Sequence, residues 1–368
     1  MSQKMFSDMM KKGKNNKRLF NQKSKEELEL ELKNEKYPRT TISFYRYAYL
    51  NDLEELRDEL FLQWNALKLK GRIYIADEGI NAQLSCPEPF VDAFRDTLNQ
   101  YKEFKDVPFK IAVEDQAMSF LKLQIKIRKK ILADGQDDNS YDVTNVGKHL
   151  SAKEWNQHLS DDNSICVDMR NHYESEIGHF EGAICPDVDT FKEELPEVLN
   201  LLKGQEDRKI LLYCTGGIRC EKTSAFLKHH GYDDVNQLHG GIIDYAKQIE
   251  EEELENKYKG SNFVFDERRG EKISDDIISS CHQCGKPCDT HTNCINKNCN
   301  LLFLQCEDCK NENQNCCSHE CIEIVSLSKE EQETLRKESG ADPNKKYRSS
   351  LRPKLKEIQQ QKEANETN

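Results

Sequence analysis

The chain has 368 residues, enough for two or three domains, and its net charge of −12 argues against a uniformly basic nucleic-acid-binding protein. No run of residues approaches the length of a membrane helix, and the lysine-rich N-terminus lacks the apolar segment of a signal peptide. We therefore expect a cytoplasmic protein that does not contact a membrane. Ten of the 15 cysteines lie within residues 281–321, which in a reducing cytoplasm indicates metal binding or redox chemistry and not a disulfide scaffold.

Residues 1–36 form a polar extension in which eight Lys or Arg residues accompany a single acid, Asp8, among the first 25 positions. The composition is typical of a disordered segment. A second interpretation is a basic arm that contacts RNA phosphates.

Residues 37–132 predict a ferredoxin-like, or acylphosphatase-like, domain. A β-branched and aromatic segment at 40–50 indicates a strand, and apolar residues at helical spacing follow within 51–69. Two short strands flank a turn at residues 77–79, a second helix begins near Pro87, and two strand-like segments close the domain. The order β-α-β-β-α-β is that of a split βαβ fold.

The last of these segments is basic, and its charges lie on a mostly alternating pattern. A solvated sheet face and a face that contacts RNA phosphates both fit this pattern. A sheet of this type often serves as an RNA platform, although it lacks here a clear aromatic RNA-binding signature. The candidate RNA contacts are Lys122, Lys126, Arg128, Lys129 and Lys130.

After a polar linker at residues 133–146, strands alternate with helices over residues 147–250, which predicts a parallel α/β domain. Ser151 and Glu154 form a capping box before its first helix. Ligands in such domains bind at the carboxyl ends of the strands.

Cys214 stands at such a strand end, directly after the apolar run at residues 210–213. A Gly-rich turn and a helix follow, so backbone N–H groups and a helix N-terminus converge on the thiol and favour thiolate. We interpret Cys214 as a nucleophile; a buried cysteine at a strand end is the alternative. The active-site loop comprises Thr215, Gly216, Gly217, Ile218, Arg219 and Cys220.

The segments VDMR, GHFEGAI, CTGGIRC and LHGGI occur in this order and resemble the successive signatures of the rhodanese superfamily. The resemblance implies that Cys214 is catalytic and that Asp168 and Arg170 support its loop. A surface salt bridge is the alternative interpretation of that pair.

Residues 260–326 form a Cys-rich module that contains two C-x-x-C knuckles. The paired knuckles indicate a tetrahedral metal site, and the remaining thiols suffice for a second site. Thiolate-rich sets favour zinc or iron–sulfur, and structural zinc is preferred because so short and polar a segment has almost no apolar core. The sequence leaves the choice between zinc and iron open, and disulfides and packed thiols remain alternatives. The predicted ligands are Cys281, Cys284, Cys306 and Cys309, with Cys294, Cys299, Cys316 and Cys321 for the second site. Residues 327–368 are a polar tail for which we expect disorder.

The three domains together, with IADEGINAQLS, CTGGIRCEK and CHQCG…CCSHEC, resemble the oxygen-dependent tRNA uridine 34 hydroxylases over residues 40–325. The resemblance implies 5-hydroxylation of the wobble uridine with molecular oxygen as co-substrate and the tRNA anticodon loop as partner. A thiosulfate-type sulfurtransferase and a non-enzymatic RNA-binding zinc protein are the other functions considered. The sequence contains no flavin or nicotinamide fingerprint, and it leaves the electron donor and the oligomeric state open.

Overall fold

The computed structural model describes residues 23–111, 120–137, 140–265 and 269–340. The chain divides into two compact units, and we treat each by itself. Within the described ranges, unit 1 contains residues 23–157, 212–254 and 265, and unit 2 contains residues 158–211, 255–264 and 269–340. No helix in these ranges is both long and apolar enough to cross a membrane.

Unit 1 begins with helix α1 (Lys25–Lys33) and a five-stranded sheet of order β4-β1-β3-β2-β5. β3 lies antiparallel between β1 and β2, and β4 is antiparallel to β1. This is the predicted split βαβ arrangement, with β5 added parallel to β2. The elements are β1 (Arg39–Tyr47), α2 (Leu53–Ala66), β2 (Lys70–Ala76), β3 (Gly79–Pro87), a 3-10 turn (Glu88–Phe90), α3 (Val91–Asn99), β4 (Lys110–Ile111) and β5 (Leu123–Ile127).

The two faces of this sheet differ because successive side chains of a strand point to opposite sides. One face packs apolar residues such as Phe44 and Ile73 against Trp64 of α2 and Phe94 of α3. We call the other face the open face. It is defined by four residues that lie opposite one another across the strands, Tyr45, Asn81, Tyr74 and Lys126.

In the part of the second predicted domain that belongs to unit 1, β6 pairs in parallel with β10. The capping box of Ser151 and Glu154 is confirmed. The three residues of β6 were not predicted as a strand. The elements are β6 (Lys148–Leu150), α4 (Ala152–Leu159), β7 (Ser164–Asp168), α5 (His172–Ser175), β8 (Gly178–Phe180), α6 (Phe191–Leu201), β9 (Lys209–Tyr213), α7 (Ile218–His229), β10 (Val235–Leu238) and α8 (Gly241–Glu251).

The C-terminal part of unit 2 has small sheets and short helices. β8 pairs with β11, which pairs with β12, and β13 pairs with β14. Cysteines contribute most of one buried cluster here, together with Leu301 and Phe303. The elements are β11 (Tyr258–Asn262), β12 (Glu271–Lys272), β13 (His291–Asn293), β14 (Leu302–Leu304), α9 (Glu307–Glu312), α10 (His319–Ser326) and α11 (Lys329–Ser339).

Two helices lie where the sequence predicted disorder. In α1, Ser24 and Glu27 form a capping box, and Leu28 and Leu32 are buried. In α11, Ser328 and Glu331 form another capping box. In each helix the capping box supplies hydrogen-bond acceptors for N–H groups of the first turn. The overall composition of the two tails does not show this local sequence pattern. The remainder of both tails, residues 1–22 and 341–368, lies outside the described residues.

A buried lysine joins the first domain of unit 1 to helix α7. Lys222 is 1% exposed, and its ammonium donates to both oxygens of Glu78 (3.1 and 3.0 Å) and to Asp134 Oδ2 (3.0 Å). It also donates to the carbonyl of Leu132 at 2.9 Å. Although burial opposes the effect, Lys130 and Lys222 keep the pKa of Asp134 below its usual value. The start of the predicted linker is therefore a structural part of unit 1.

Replacing Lys222 with Met should lower the free energy of unfolding by about 3 kcal/mol, because it leaves two carboxylates without their buried cation. Chemical denaturation followed by fluorescence measures this change. The double variant Lys222→Met/Asp134→Asn should recover part of the loss, and Lys203→Met, at an exposed helix end, should change it by less than about 0.5 kcal/mol. Equal stability of Lys222→Met and Lys203→Met would contradict this assignment.

Candidate active site

Cys214 follows β9 directly and lies at the N-terminus of α7. The residue is 1% exposed, and the N–H of Gly217 donates to its Sγ at 3.0 Å. Gly217 caps the helix with φ of 93°, a left-handed conformation that favours glycine. The loop therefore wraps backbone donors around one sulfur atom, as the Gly-rich sequence predicts.

The surroundings of Cys214 favour its thiolate. Burial opposes ionisation, but the Cys220 thiol, the Arg219 guanidinium and the N–H groups of Arg219 and Cys220 together lower the pKa of Cys214 to about 5. Burial and the neighbouring Cys214 raise the pKa of Cys220 well above its usual value. At neutral pH the pair therefore consists of a thiolate on Cys214 and a protonated thiol on Cys220 that donates to it.

The start of α8 holds the loop from behind. Ile242 and Ile243 donate their N–H groups to the carbonyls of Cys214 (3.0 Å) and Thr215 (3.2 Å). Gly241 permits this approach, since a Cβ there would lie 2.5 Å from the carbonyl oxygen of Cys214. Within the loop, Gly217, Arg219 and Cys220 are buried, whereas Thr215, Gly216 and Ile218 are half-buried.

Lys110 of the first domain contacts this loop and Tyr45 contacts Glu221, the next residue; sequence reasoning did not assign either of them to the site. Lys110 is 6% exposed, its ammonium donates to the carbonyl of Gly216, and it lies 4.5 Å from the centre of the Tyr45 ring. The Tyr45 hydroxyl donates to Glu221 at 3.1 Å. Glu221 also accepts from Gln237 at 3.2 Å and is paired with His149 at 2.9 Å.

These contacts change the interpretation of the open face. Tyr45 and Tyr47 belong to it, but Tyr45 binds Glu221, and the ammonium of Lys222 lies 5.9 Å from the Tyr47 ring centre. This end of the sheet is therefore covered by α7 and is not an exposed RNA platform. The alternation of side chains along β1 could have predicted this position, because it places both tyrosines on the side of the sheet away from α2 and α3.

Asp168 and Arg170 form a completely buried pair in unit 2. The guanidinium donates to both carboxylate oxygens, at 2.8 and 2.6 Å. Arg170 also donates to the carbonyl of Gly178 at 2.6 Å and to Asn262 Oδ1 at 3.3 Å. The interpretation as a surface salt bridge is wrong, because both side chains are fully enclosed; support of the Cys214 loop stays a prediction.

The basic residues around β5 fall into two groups. Lys122, Lys126, Arg128 and Lys129 are exposed. Lys130 is half-buried, and its ammonium binds Asp134 and the carbonyl of Gln136, both at 2.9 Å. Lys130 therefore differs from the other candidates for RNA contact, because its charge is neutralised within unit 1.

The cysteines of unit 2 form two groups of four thiols that are able to hold a metal ion. In each group the four sulfurs lie within 4.8 Å of one another. The first group is the predicted one, and the second corrects the prediction, because it contains Cys317 and not Cys316. The groups are Cys281, Cys284, Cys306 and Cys309, and Cys294, Cys299, Cys317 and Cys321.

The contacts of Cys317 explain this correction. Its sulfur lies 3.6 Å from that of Cys299 and 3.7 Å from that of Cys321, four residues later. Tetrahedral zinc with Zn–S bonds of about 2.3 Å separates its sulfurs by about 3.8 Å. These separations fit a shared metal and are too long for disulfides.

Replacing Arg219 with Met should raise the pKa of Cys214, because the variant loses a guanidinium that lowers it. The rate of Cys214 alkylation by iodoacetamide, followed by mass spectrometry of its peptide, should have its midpoint near pH 5 in the native protein. The midpoint should move to higher pH in Arg219→Met and stay unchanged in Arg57→Met, where an arginine on α2 is lost. A native midpoint near the ordinary thiol pKa would contradict the assigned thiolate.

Comparison with known proteins agrees with this architecture. Family profiles match the UPF0176 acylphosphatase-like domain at residues 39–131, the rhodanese-like domain at 151–248 and the rhodanase C-terminal region at 259–322. The predicted fold class is therefore confirmed: an α/β chain with a ferredoxin-like first domain, a rhodanese domain and a Cys-rich module.

Similar full-length proteins carry one name. The tRNA uridine(34) hydroxylase of Leptospira interrogans is 57% identical over 340 residues, which cover 92% of this chain and 93% of that protein. The tRNA uridine(34) hydroxylase of Cronobacter sakazakii is 48% identical over 338 residues, which cover 92% of this chain and 96% of that protein. Identity at this level over almost the whole length includes all three domains, and the chain belongs to the tRNA uridine(34) hydroxylase family.

Proposed function

We propose that this protein hydroxylates C5 of uridine 34 in tRNA with molecular oxygen and uses Cys214 as its nucleophile. The observation that carries the proposal is the buried Cys214 thiolate at the N-terminus of α7, whose pKa of about 5 keeps it ionised at neutral pH. The names of the full-length relatives support the substrate. A cytoplasmic location is part of this proposal, because the proposed substrate is tRNA.

The chemistry begins with addition of the Cys214 thiolate to C6 of the uracil ring. The addition gives an enolate whose electron pair is shared between C5 and the oxygen of the neighbouring C4 carbonyl. Oxygen bonds to C5 and, with one proton, gives a hydroperoxide. Two thiols reduce the hydroperoxide to the alcohol, releasing water and forming one disulfide. Loss of the C5 proton then expels Cys214 and restores the ring. The sum converts uridine, O2 and two thiols into 5-hydroxyuridine, water and a disulfide.

The residues around the loop have distinct roles in this scheme. The N–H of Gly217 and the thiol of Cys220 hold the thiolate before addition and accept its return after expulsion. Lys110 places a positive charge beside the loop, where negative charge develops on the uracil oxygens. Asp168 and Arg170 form a buried ion pair within unit 2, and their support of the loop remains part of this proposal.

The test is analysis of nucleosides from tRNA incubated with the protein and a thiol reductant. We expect 5-hydroxyuridine whose new oxygen derives from labelled O2 and not from labelled water. Cys214→Ala should reduce the product to background, because the nucleophile is lost. Cys86→Ala, in the core of the first domain, is the matched control and should keep the activity.

Two outcomes would overturn the proposal. One is full hydroxylation by Cys214→Ala. The other is unmodified tRNA together with transfer of sulfur from thiosulfate to a thiol, the result expected of a rhodanese-type sulfurtransferase that carries a persulfide on Cys214.

We further propose that each group of four cysteines holds a structural zinc ion. The all-sulfur donor sets support zinc, which prefers tetrahedral thiolate ligands. The sulfur atoms of Cys284 and Cys306 lie 3.5 Å apart and those of Cys317 and Cys321 lie 3.7 Å apart, which fits ligands of one ion. His282 is not part of either group, because its Nε2 pairs with Glu176 at 2.6 Å. The zinc ions would take the place of the apolar core that this module lacks.

Adjacent cysteines give a sharp test of this assignment. Elemental analysis of the purified protein should find two zinc ions per chain. Cys317→Ser should lose one of them and destabilise the module, whereas Cys316→Ser should keep both. Equal zinc content in these two variants, or protein that is folded but free of metal, would contradict the second site.

A further inference from the structure

We propose that the open face of the first domain holds the RNA strand beside the reacting uridine through a basic strip formed by Arg72, Lys122, Lys126 and Arg128, with Tyr74 as a stacking surface. This inference rests on the proposed function for its substrate. It adds Arg72 and Tyr74, which were not predicted from the sequence. It also relates the RNA-binding face to the position of Cys214.

The register of the sheet places these residues on one side. Arg72 and Tyr74 of β2 lie opposite Gln124 and Lys126 of the parallel strand β5. Lys126 lies four positions after Lys122 and two before Arg128, and these even spacings put all three on this face where the extended backbone continues. Ile73 and Ile125, at the intervening positions, belong to the core on the other side.

The cations of the strip are not neutralised by acidic side chains within the part of the chain that the structure describes. No ion pair links any of the four to a carboxylate there, whereas Lys130 close by is paired with Asp134. Partial burial and the three neighbouring cations Arg128, Arg72 and Lys122 lower the pKa of Lys126. Four unbalanced cations in a protein of net charge −12 indicate an anionic ligand at this face.

Tyr74 gives the strip the second feature of single-strand recognition. Its ring is half-buried, and the Arg128 guanidinium lies 5.4 Å from the ring centre. Proteins that bind single-stranded RNA combine such a positive groove with aromatic rings on which bases stack. An anticodon loop offers both the phosphates and the unpaired bases.

The strip also lies close to the active-site loop. From Lys126 the cross-strand row runs through Tyr74 and Asn81 to Tyr45, which is about 14 Å for three strand spacings. The Tyr45 hydroxyl would lie 3.0 Å from a Cβ at Gly217, the residue that binds Cys214 Sγ. The strip therefore lies within the length of a few nucleotides of the loop. The RNA does not follow this row to its end, because α7 covers Tyr45.

The test compares two double variants with the same change in charge. Arg72→Gln/Lys126→Gln removes two cations from the strip, and Arg57→Gln/Lys102→Gln removes two from α2 and the loop after α3. Binding of an anticodon stem-loop RNA is measured by fluorescence anisotropy at several salt concentrations. The strip variant should bind about tenfold more weakly, and the slope of log K against log salt should fall by about 1.4.

Hydroxylation by the same proteins separates binding from chemistry. The strip variant should have a KM for tRNA raised about tenfold by the loss of two phosphate contacts and a kcat within about twofold of the native value. Tyr74→Leu should raise KM, and Tyr74→Phe, which keeps the ring, should not.

Three results would overturn the inference: unchanged RNA binding by the strip variant, an equal loss in the control variant, or a fall in kcat without a change in binding. The anisotropy measurement is independent of catalysis. If the native protein bound RNA through the strip but formed no 5-hydroxyuridine, the proposed function would fail while the binding site stood.

Discussion

Unit 1 depends on the buried ammonium of Lys222. A lysine that is removed from water costs several kcal/mol unless carboxylates and carbonyls replace its hydration, and here Glu78, Asp134 and the carbonyl of Leu132 do so. These partners come from a turn and a segment of the first domain, and Lys222 lies two residues after Cys220 on α7. The ion network therefore fixes the first domain against the helix that begins at the active-site loop.

The contacts of Lys110 and Tyr45 follow from this attachment. Because the sheet is held beside α7, a strand end of the first domain brings an ammonium to the carbonyl of Gly216. The rhodanese loop supplies the thiolate and its backbone donors, and the first domain supplies a cation and an aromatic wall. The site is thus a product of two domains, and a rhodanese domain by itself would lack half of its surroundings.

Much of this arrangement was predictable from local sequence. The contacts of Cys214 with its loop, and the capping box of Ser151 and Glu154, join residues that are only three positions apart. A short sequence pattern is therefore enough to predict their geometry. The split βαβ order followed from hydrophobic alternation for the same reason.

Longer-range features were not predictable in this way. Lys110 and Gly216 are 106 positions apart, and no periodicity relates a strand end to a loop in another domain. The choice between Cys316 and Cys317 depends on which sulfur faces Cys321 at the start of α10, and two adjacent cysteines look alike in a sequence. Likewise, Asp134 resembled part of a polar linker until its burial against Lys222 was seen.

In the proposed reaction with oxygen, the enclosure of Cys214 has a consequence for the lifetime of the enzyme. A thiolate of low pKa is the form that peroxides convert to sulfenic and then to irreversibly oxidised acids, and its exposure sets how fast this occurs. At 1% exposure the sulfur is shielded while the enzyme is idle. In the proposed reaction a uracil ring has to reach this sulfur, so the enclosure would have to open for the substrate, and the thiolate would be open to damage only during that time.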